Sequence, residues 1–163
     1  MMSKKIVITG QFGVGKTSLF NRFISNTFNE KYLTTIGVRV DKKVIRVRQT
    51  EVSLILWDLA GEISQEKVPR SYFAGAHAVL YVFDLSRPAT YARIEQDMTF
   101  IKNLLPNALV YKIGNKKDLA DEAVLKKAYA EAQPEVFTSA KTGENVAELF
   151  TQIAEKLVSE EVE

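Results

Sequence analysis

Residues 6–17 read IVITGQFGVGKT, and this stretch decides the fold. Its first three residues are apolar and predict a buried strand, and the residues that follow it, 18–24, predict a helix. Between strand and helix stands Gly-x4-Gly-Lys-Thr, from Gly10 to Thr17, which is the spacing of a phosphate-binding loop. Glycines let backbone N–H groups curve around an anion, and the helix directs the positive end of its dipole toward it. The stretch therefore predicts a nucleotide-binding protein.

The last two residues of this loop carry its chemistry. Lys16 can reach the terminal phosphates of a nucleotide, and the hydroxyl of Thr17 can ligate Mg²⁺. The alternative is a glycine-rich turn that binds nothing, which the strand before the loop and the helix after it disfavour. A phosphate loop does not distinguish one base from another, so other residues must select the nucleotide.

The composition indicates one globular domain over residues 1–163, with 46% hydrophobic residues and a formal net charge of +2. Such a small charge predicts no nucleic-acid partner. The absence of cysteine excludes disulfides, thiol catalysis and cysteine-ligated zinc, and also prenylation and palmitoylation, so we expect no lipid anchor. No apolar stretch reaches transmembrane length, and the first residues do not form a signal peptide. We therefore expect a cytoplasmic monomer.

Strand and helix patterns alternate along the chain, which is typical of an α/β fold with a mostly parallel sheet. Two runs joined by a short turn, 38–48 and 51–58, predict an antiparallel hairpin, the one exception within that sheet. The continuous apolar run 78–83 predicts a central strand covered on both faces. Further strands are predicted at 109–113 and 135–138, and further helices at 91–105, 121–133 and 146–157.

Two stretches at predicted strand ends can contact a nucleotide. Asp58 closes one strand and can hold Mg²⁺ directly or through water, and Gly61 can approach a γ-phosphate because it has no side chain. The stretch Asn115-Lys116-Lys117-Asp118 follows another strand. The carboxylate of Asp118 can accept two hydrogen bonds from guanine, whereas adenine presents an acceptor at N1, so this residue can select the base. Taken alone, each stretch also fits an ordinary polar turn.

Two further stretches are weaker signals when each is taken singly. A backbone N–H in the turn 138–141, Thr-Ser-Ala-Lys, could donate to the O6 atom of guanine, which adenine lacks. A hydroxyl in the loop 32–37, Tyr-Leu-Thr-Thr-Ile-Gly, could complete the coordination of Mg²⁺. Similar sequences also occur in helix starts and in loops without a ligand.

Together the five stretches resemble, in order and spacing, the Ras-like small GTPases, over essentially the whole chain. The resemblance is strongest to the Rab-like branch, through Trp57-Asp58-x-Ala60-Gly61 and Thr34-Thr35-Ile36-Gly37-Val38. It implies a phosphate-loop GTPase domain of the α/β class, with a six-stranded mixed sheet that contains one antiparallel strand and is flanked by five helices. It also implies a switch that binds GTP or GDP with Mg²⁺ and hydrolyses GTP to GDP and phosphate.

The resemblance also implies roles for single residues. Thr17 and Thr35 would ligate Mg²⁺, with Asp58 supporting the metal through water. Hydrolysis would involve Lys16, Thr35, Gly61 and the residue after it, Glu62. The nucleotide would be bound by Gly13, Val14, Gly15, Lys16, Thr17, Ser18, Phe28, Thr35, Gly61, Asn115, Lys116, Asp118, Ser139, Ala140 and Lys141.

Two loops, 29–37 and 60–73, would be the switches that respond to the γ-phosphate and bind effector and regulatory proteins. Eukaryotic Rab proteins carry a long tail with prenylated cysteines, which is missing here. Prokaryotic Rab-like GTPases fit that pattern, and a trimmed chain is the alternative. The basic residues of the hairpin 38–48 fit either an acidic partner or an edge strand protected by charge. Trp57 and Phe23 fit either an effector surface or the core.

Two residues depart from the family's pattern where catalysis is concerned. After Ala-Gly the family usually has glutamine, which orients the attacking water, but this chain has Glu62. A carboxylate beside a γ-phosphate is repelled, and it lacks the amide donor of glutamine. Phe12 stands where most relatives have a small residue. Its bulk would exclude a catalytic glutamine or a partner's arginine, or else it points away from the nucleotide and packs on the second switch.

These departures predict very slow intrinsic GTP hydrolysis, with a partner supplying the missing group. No arginine stands out as a built-in substitute, and Arg70 in the second switch is expected to be a surface charge. The alternative function is a hydrolysis-deficient interaction module that stays mostly GTP-bound and acts as a scaffold. An ATP-dependent kinase or ATPase is disfavoured by Asp118.

Overall fold

The structure is a computed structural model that describes residues 2–26, 37–62 and 64–162, with side chains described as far as residue 160. Its strands are β1 (Met2–Gly10), β2 (Val38–Val47), β3 (Thr50–Leu59), β4 (Ala78–Asp84), β5 (Leu109–Asn115) and β6 (Val136–Phe137). Its α-helices are α1 (Lys16–Ser25), α2 (Arg70–Phe73), α3 (Ile94–Leu104), α4 (Glu122–Ala132) and α5 (Val146–Val162). Short 3-10 turns stand at Gln65–Lys67, Pro88–Tyr91 and Lys117–Leu119. The prediction of six strands and five helices is confirmed over the described residues.

One sheet contains all six strands, in the order β2-β3-β1-β4-β5-β6. The β2–β3 pair is antiparallel and every other pair is parallel, as the hairpin pattern predicts. β1 lies between β3 and β4, so the phosphate loop leaves the middle of the sheet. Because the carboxyl ends of parallel strands share one edge, the segments that follow β1, β3, β4 and β5 meet there. That edge contains the predicted site residues that the structure describes.

Two apolar clusters cover the two faces of the sheet. On one face α1 and α5 pack together, and the rings of Phe23 and Phe150 stack with their centroids 4.0 Å apart. Phe23 therefore belongs to the core rather than to an effector surface. On the other face α3 and α4 pack on β4, which is buried along its whole length as the apolar run predicts.

Helix ends follow local chemistry, with some differences from the predicted ranges. Asp121 caps α4, since its carboxylate accepts a hydrogen bond of 2.9 Å from the N–H of Val124. The predicted helix 91–105 begins later, at Ile94, because Pro88 opens a separate 3-10 turn. α5 continues to Val162. Among the helices that the structure describes, none is long and apolar enough to cross a membrane.

Candidate functional site

The glycines of the phosphate loop are held against neighbouring strands at positions that exclude a side chain. Gly10 has φ 144°, and a Cβ there would lie 2.2 Å from the carbonyl oxygen of Val82. Gly15 has φ 99°, and a Cβ there would lie 2.3 Å from Nδ2 of Asn115. No side chain caps α1 at Gly15, and the positive end of the helix dipole faces the loop. The sequence prediction of an anion cradle fits this geometry.

Lys16 is buried inside the loop and is only 6% exposed. Its Nζ atom donates a 2.7 Å hydrogen bond to the carbonyl oxygen of Gln11. Burial lowers the pKa of Lys16 to about 8, while the negative charge of Asp58 raises it and the positive charge of Arg87 lowers it further. Phosphate oxygens would supply the missing negative charge, so the lysine suits a polyanionic ligand.

Thr17 and Asp58 come together below the loop. The hydroxyl of Thr17 donates a 2.7 Å hydrogen bond to Oδ2 of Asp58, a carboxylate with no exposed surface at the end of β3. Hydroxyl and carboxylate oxygens are the donors that Mg²⁺ prefers, so the pair fits this metal. Within 2–26, 37–62 and 64–162, no group of three or more His, Cys, Asp or Glu could hold a metal. A metal here would depend on hydroxyl, phosphate and water oxygens as well.

The start of the second switch lies directly on the phosphate loop. A Cβ on Gly61 would lie 2.4 Å from the Cα of Phe12, so only glycine allows this approach. The next residue, Glu62, donates its backbone N–H to the carbonyl oxygen of Gly10 at 3.3 Å. Phe12 itself is 56% exposed at the rim of the loop. The backbones of Gly61 and Glu62 therefore lie at the phosphate loop.

Asn115 connects three segments of the site. Its Nδ2 donates to the carbonyl oxygen of Val14 at 3.0 Å, which fixes the phosphate loop to the end of β5. Its Oδ1 accepts from the hydroxyl of Thr138 at 3.0 Å and from the N–H of Ala140 at 3.3 Å. Asn115 is 1% exposed, so these bonds lie away from water. The phosphate loop and the two predicted base-binding segments are thus one hydrogen-bonded unit.

The remaining base-binding residues lie around Asn115. Lys116 adopts the left-handed conformation, with φ 67°, and its Nζ donates to the carbonyl oxygen of Gly13 at 3.0 Å. The side chain of Asp118 is exposed and accepts a 2.7 Å hydrogen bond from the hydroxyl of Ser139. Ser139 thus holds one oxygen of the carboxylate predicted to select guanine. Phe28, Thr35 and Ile63 lie outside the described residues, as does most of the loop 29–37.

Two arginines at the site are not among the residues predicted from the sequence. Arg22 on α1 donates to the carbonyl oxygens of Ala140, at 2.8 Å, and of Lys141, and so supports the base-binding turn. Arg87 follows β4 and donates a 3.0 Å hydrogen bond to the carbonyl oxygen of Phe12. Arg87 follows the end of β4, so the strand-end pattern that singles out Asp58 and Asn115 also applies to its segment.

A buried polar network anchors the second switch. Gln65 has no exposed surface, and its Oε1 accepts a 2.6 Å hydrogen bond from the hydroxyl of Thr9. Its backbone N–H donates to Oδ1 of Asp97 at 3.1 Å, and the hydroxyl of Tyr81 donates to Oδ2 at 2.7 Å. Burial raises the pKa of Tyr81, as does its hydrogen bond to Asp97. The network connects the switch to β1, β4 and α3.

A phosphate loop after β1, a Thr–Asp pair with a buried carboxylate and a polar segment after β5 define the class of phosphate-loop nucleotide-binding proteins. Residues 5–159 match the Ras family, and the chain belongs to that family. Its members are small GTPases, so the chain is a GTP-binding hydrolase of the switch type. Effector and regulator interactions are part of that family's function.

Several curated relatives of the chain are Rab proteins. The chain is 34% identical to Ras-related protein Rab-1 of Theileria parva, over 94% of this chain and 73% of the relative. It is 36% identical to Ras-related protein Rab-4B of Homo sapiens, over 95% of this chain and 76% of the relative. It is 34% identical to Ras-related protein Rab-34 of Mus musculus, over 92% of this chain and 62% of the relative. These similarities confirm the Rab-like resemblance.

Proposed function

We propose that this chain is a Mg²⁺-dependent guanine-nucleotide switch whose intrinsic GTP hydrolysis is slow, and that residues 1–163 form its single domain. The observation that carries the proposal is the convergence of buried Lys16 with the hydrogen-bonded pair Thr17 and Asp58 at one edge of the sheet. A desolvated ammonium beside two oxygen donors suits a nucleotide triphosphate and a hard cation together.

Each part of the site has a task in this proposal. The loop 13–18 binds the phosphates through backbone N–H groups, and Lys16 balances their charge. Thr17, Thr35 and Asp58 hold Mg²⁺, which neutralises charge on the phosphate oxygens when it is bound. The negative charge of Asp58 lies near the positive charge of Lys16, which supports a site that binds a metal cation beside anionic phosphates.

The base is selected by the segment after β5. The carboxylate of Asp118 accepts from N1–H and from the exocyclic amine of guanine, while Ser139 keeps it in position through their 2.7 Å hydrogen bond. Asn115 and Lys116 fix this segment to the phosphate loop. The turn 139–141 closes the pocket, and Phe28 packs against the base.

Slow hydrolysis follows from Glu62. The backbone of Glu62 stands at the phosphate loop, with its N–H 3.3 Å from the carbonyl oxygen of Gly10. A carboxylate on this residue would repel the γ-phosphate, and an ionised carboxylate cannot donate a hydrogen bond to the charge that develops during water attack. A regulatory partner that binds the switches 29–37 and 60–73 would then supply the missing group.

Nucleotide binding tests the first part of this proposal. GTP and GDP should displace a fluorescent GDP analogue, ATP should not, and EDTA should weaken binding. Asp118→Ala should weaken GDP binding about 100-fold, because two hydrogen bonds to a charged acceptor are lost, and adenine nucleotides should not gain from it. Asp121→Ala, which removes a carboxylate that caps α4 instead, is the control and should keep the affinity. Equal affinity for GTP and ATP in the unchanged protein would contradict guanine selection.

Single-turnover GTP hydrolysis tests the second part. We expect a rate well below that of ordinary small GTPases, and Glu62→Gln should raise it. A rate at or above the ordinary value would show that Glu62 is no defect. The alternative, a scaffold that stays GTP-bound, is favoured by the combination of Glu62 with Phe12 at the rim of the loop. It predicts GTP rather than GDP in the purified protein and no acceleration in Glu62→Gln.

A further inference from the structure

Arg87 occupies the segment that leaves the sheet after β4, next to the phosphate loop. Its Nε donates a 2.9 Å hydrogen bond to Oδ2 of Asp84, and a terminal nitrogen donates a 3.0 Å hydrogen bond to the carbonyl oxygen of Phe12. These bonds use two of the five N–H donors of a guanidinium. The side chain is 47% exposed, so its remaining donors have room for a ligand.

Arg87 and Lys16 donate hydrogen bonds to consecutive backbone carbonyl groups of the phosphate loop. Lys16 donates to the carbonyl oxygen of Gln11, and Arg87 donates to that of the next residue, Phe12. Gly61 packs on the backbone of the same Phe12. Arg87 therefore stands where the phosphate loop meets the second switch.

Asp84 interacts with other donors besides Arg87. Asp84 also pairs with Lys116, whose Nζ lies 3.0 Å from Oδ2, and accepts from the N–H and hydroxyl of Ser86. Burial opposes ionisation of Asp84, but hydrogen bonds from Ser86, Arg87 and Lys116 hold its pKa below the usual value. With one carboxylate satisfied by several donors, Arg87 adds positive charge at the rim that a polyanion can use.

We propose that Arg87 is a catalytic residue that donates hydrogen bonds from its remaining N–H groups to γ-phosphate oxygens in the transition state of GTP hydrolysis. In this step the water oxygen bonds to the γ-phosphorus. The bond from that phosphorus to the β,γ-bridging oxygen breaks, and its electron pair stays on GDP. One water proton passes to a phosphate oxygen of the product. The charge of Arg87 offsets the repulsion from Glu62, so the chain supplies in cis part of what a partner would supply in trans. This inference rests on the proposed nucleotide site.

The test compares Arg87→Ala and Arg87→Lys with a matched loss of charge at Arg46. Arg46 lies on β2, is exposed and pairs with the carboxylate of Glu51 at 3.4 Å, so Arg46→Ala removes a carboxylate-paired arginine outside the site and both switches. Three quantities are measured for each protein: GDP affinity, binding of aluminium fluoride to the GDP complex as a transition-state mimic, and single-turnover GTP hydrolysis. Thermal melting shows that each variant is folded.

Arg87→Ala should reduce hydrolysis about 30-fold or more and abolish aluminium fluoride binding, while GDP affinity changes by less than about threefold, because the arginine acts on transition-state charge. Lysine keeps the charge but lacks the planar guanidinium, so the hydrolysis rate and aluminium fluoride binding of Arg87→Lys should lie between those of Arg87→Ala and the unchanged protein. If Arg87→Ala does not fold, the result for Arg87→Lys decides the test. Arg46→Ala should behave as the unchanged protein. Unchanged aluminium fluoride binding in Arg87→Ala would overturn the inference, as would a loss of GDP affinity as large as the loss of rate. Failure of the unchanged protein to bind GTP in preference to ATP would refute the nucleotide proposal instead.

Discussion

Replacing Asn115 by alanine should separate the phosphate loop from the base-binding segments. The side chain makes three hydrogen bonds, to the carbonyl oxygen of Val14, the hydroxyl of Thr138 and the N–H of Ala140, and it is 1% exposed. Each bond contributes about 1 kcal/mol net, and its loss leaves a buried group without a partner. We therefore expect Asn115→Ala to lower the free energy of unfolding by about 3 kcal/mol.

Urea unfolding of the nucleotide-free protein measures this loss, with circular dichroism and the fluorescence of the single tryptophan as probes. Thr138→Val removes one of the three bonds and should lower the free energy of unfolding by about 1 kcal/mol. In the double variant the two losses should not add, because both remove the same bond. Asn103→Ala makes the same chemical change on the exposed face of α3 and should leave stability nearly unaltered. A loss at Asn115 below about 1 kcal/mol would refute the reasoning.

Three further outcomes are expected. Burial lowers the pKa of Lys16 to about 8, so above that pH the folded protein binds fewer protons than the unfolded chain. The free energy of unfolding of the nucleotide-free protein, relative to that of Lys16→Met, should therefore rise by roughly 2 kcal/mol from pH 7 to pH 10. Urea titrations that give the same difference at both pH values would contradict this. Tyr81→Phe should lower the free energy of unfolding by about 2 kcal/mol, since buried Asp97 loses a donor, whereas Tyr129→Phe at an exposed position should not. Gly61→Ala should lower the melting temperature, because its Cβ would lie 2.4 Å from the phosphate loop; an unchanged melting curve would mean that the switch does not rest there.

The parts of this molecule that depend on short-range pattern were predictable from the sequence. The strand, loop and helix around Gly10 to Thr17 follow one another without interruption, so local rules suffice to place them. Asp58 and Asn115 stand at strand ends, and the topology of a parallel sheet brings such ends together. The hairpin of β2 and β3 was predictable from two strand patterns with few residues between them, although its turn lies at Arg48 and Gln49, both with positive φ, and not at residues 49 and 50.

The contacts that depend on packing between distant segments were not predictable. A glutamine in a polar stretch is expected at the surface, yet Gln65 is buried because Thr9 and Asp97 happen to offer it partners. Arg87 is separated from Phe12 by 75 residues, and nothing in either neighbourhood predicts their contact. Trp57 is half-buried, with Nζ of Lys5 3.7 Å from its ring centroid, an arrangement between the two alternatives of core and effector surface.

The basic residues of the hairpin also interact with the chain itself. Arg39 donates a 2.9 Å hydrogen bond to Oδ1 of Asn21, and Nζ of Lys43 donates a 2.6 Å hydrogen bond to the carbonyl oxygen of Phe23. Both cations also lie over rings of α1. These contacts support the interpretation of a charge-protected edge strand, because the side chains brace β2 against the helix.

The buried position of Gln65 limits how far Glu62 can travel. Glu62 precedes this anchor by three positions in the chain, and a fully extended segment of that length spans about 10 Å. While Gln65 keeps its hydrogen bonds to Thr9 and Asp97, Glu62 must stay within that distance of Gln65, which lies close to β1. A ligand or partner that moves Glu62 farther than this must first break the hydrogen bonds that hold Gln65 between β1 and α3. A displacement of Glu62 beyond this limit would therefore show that Gln65 has left its buried position.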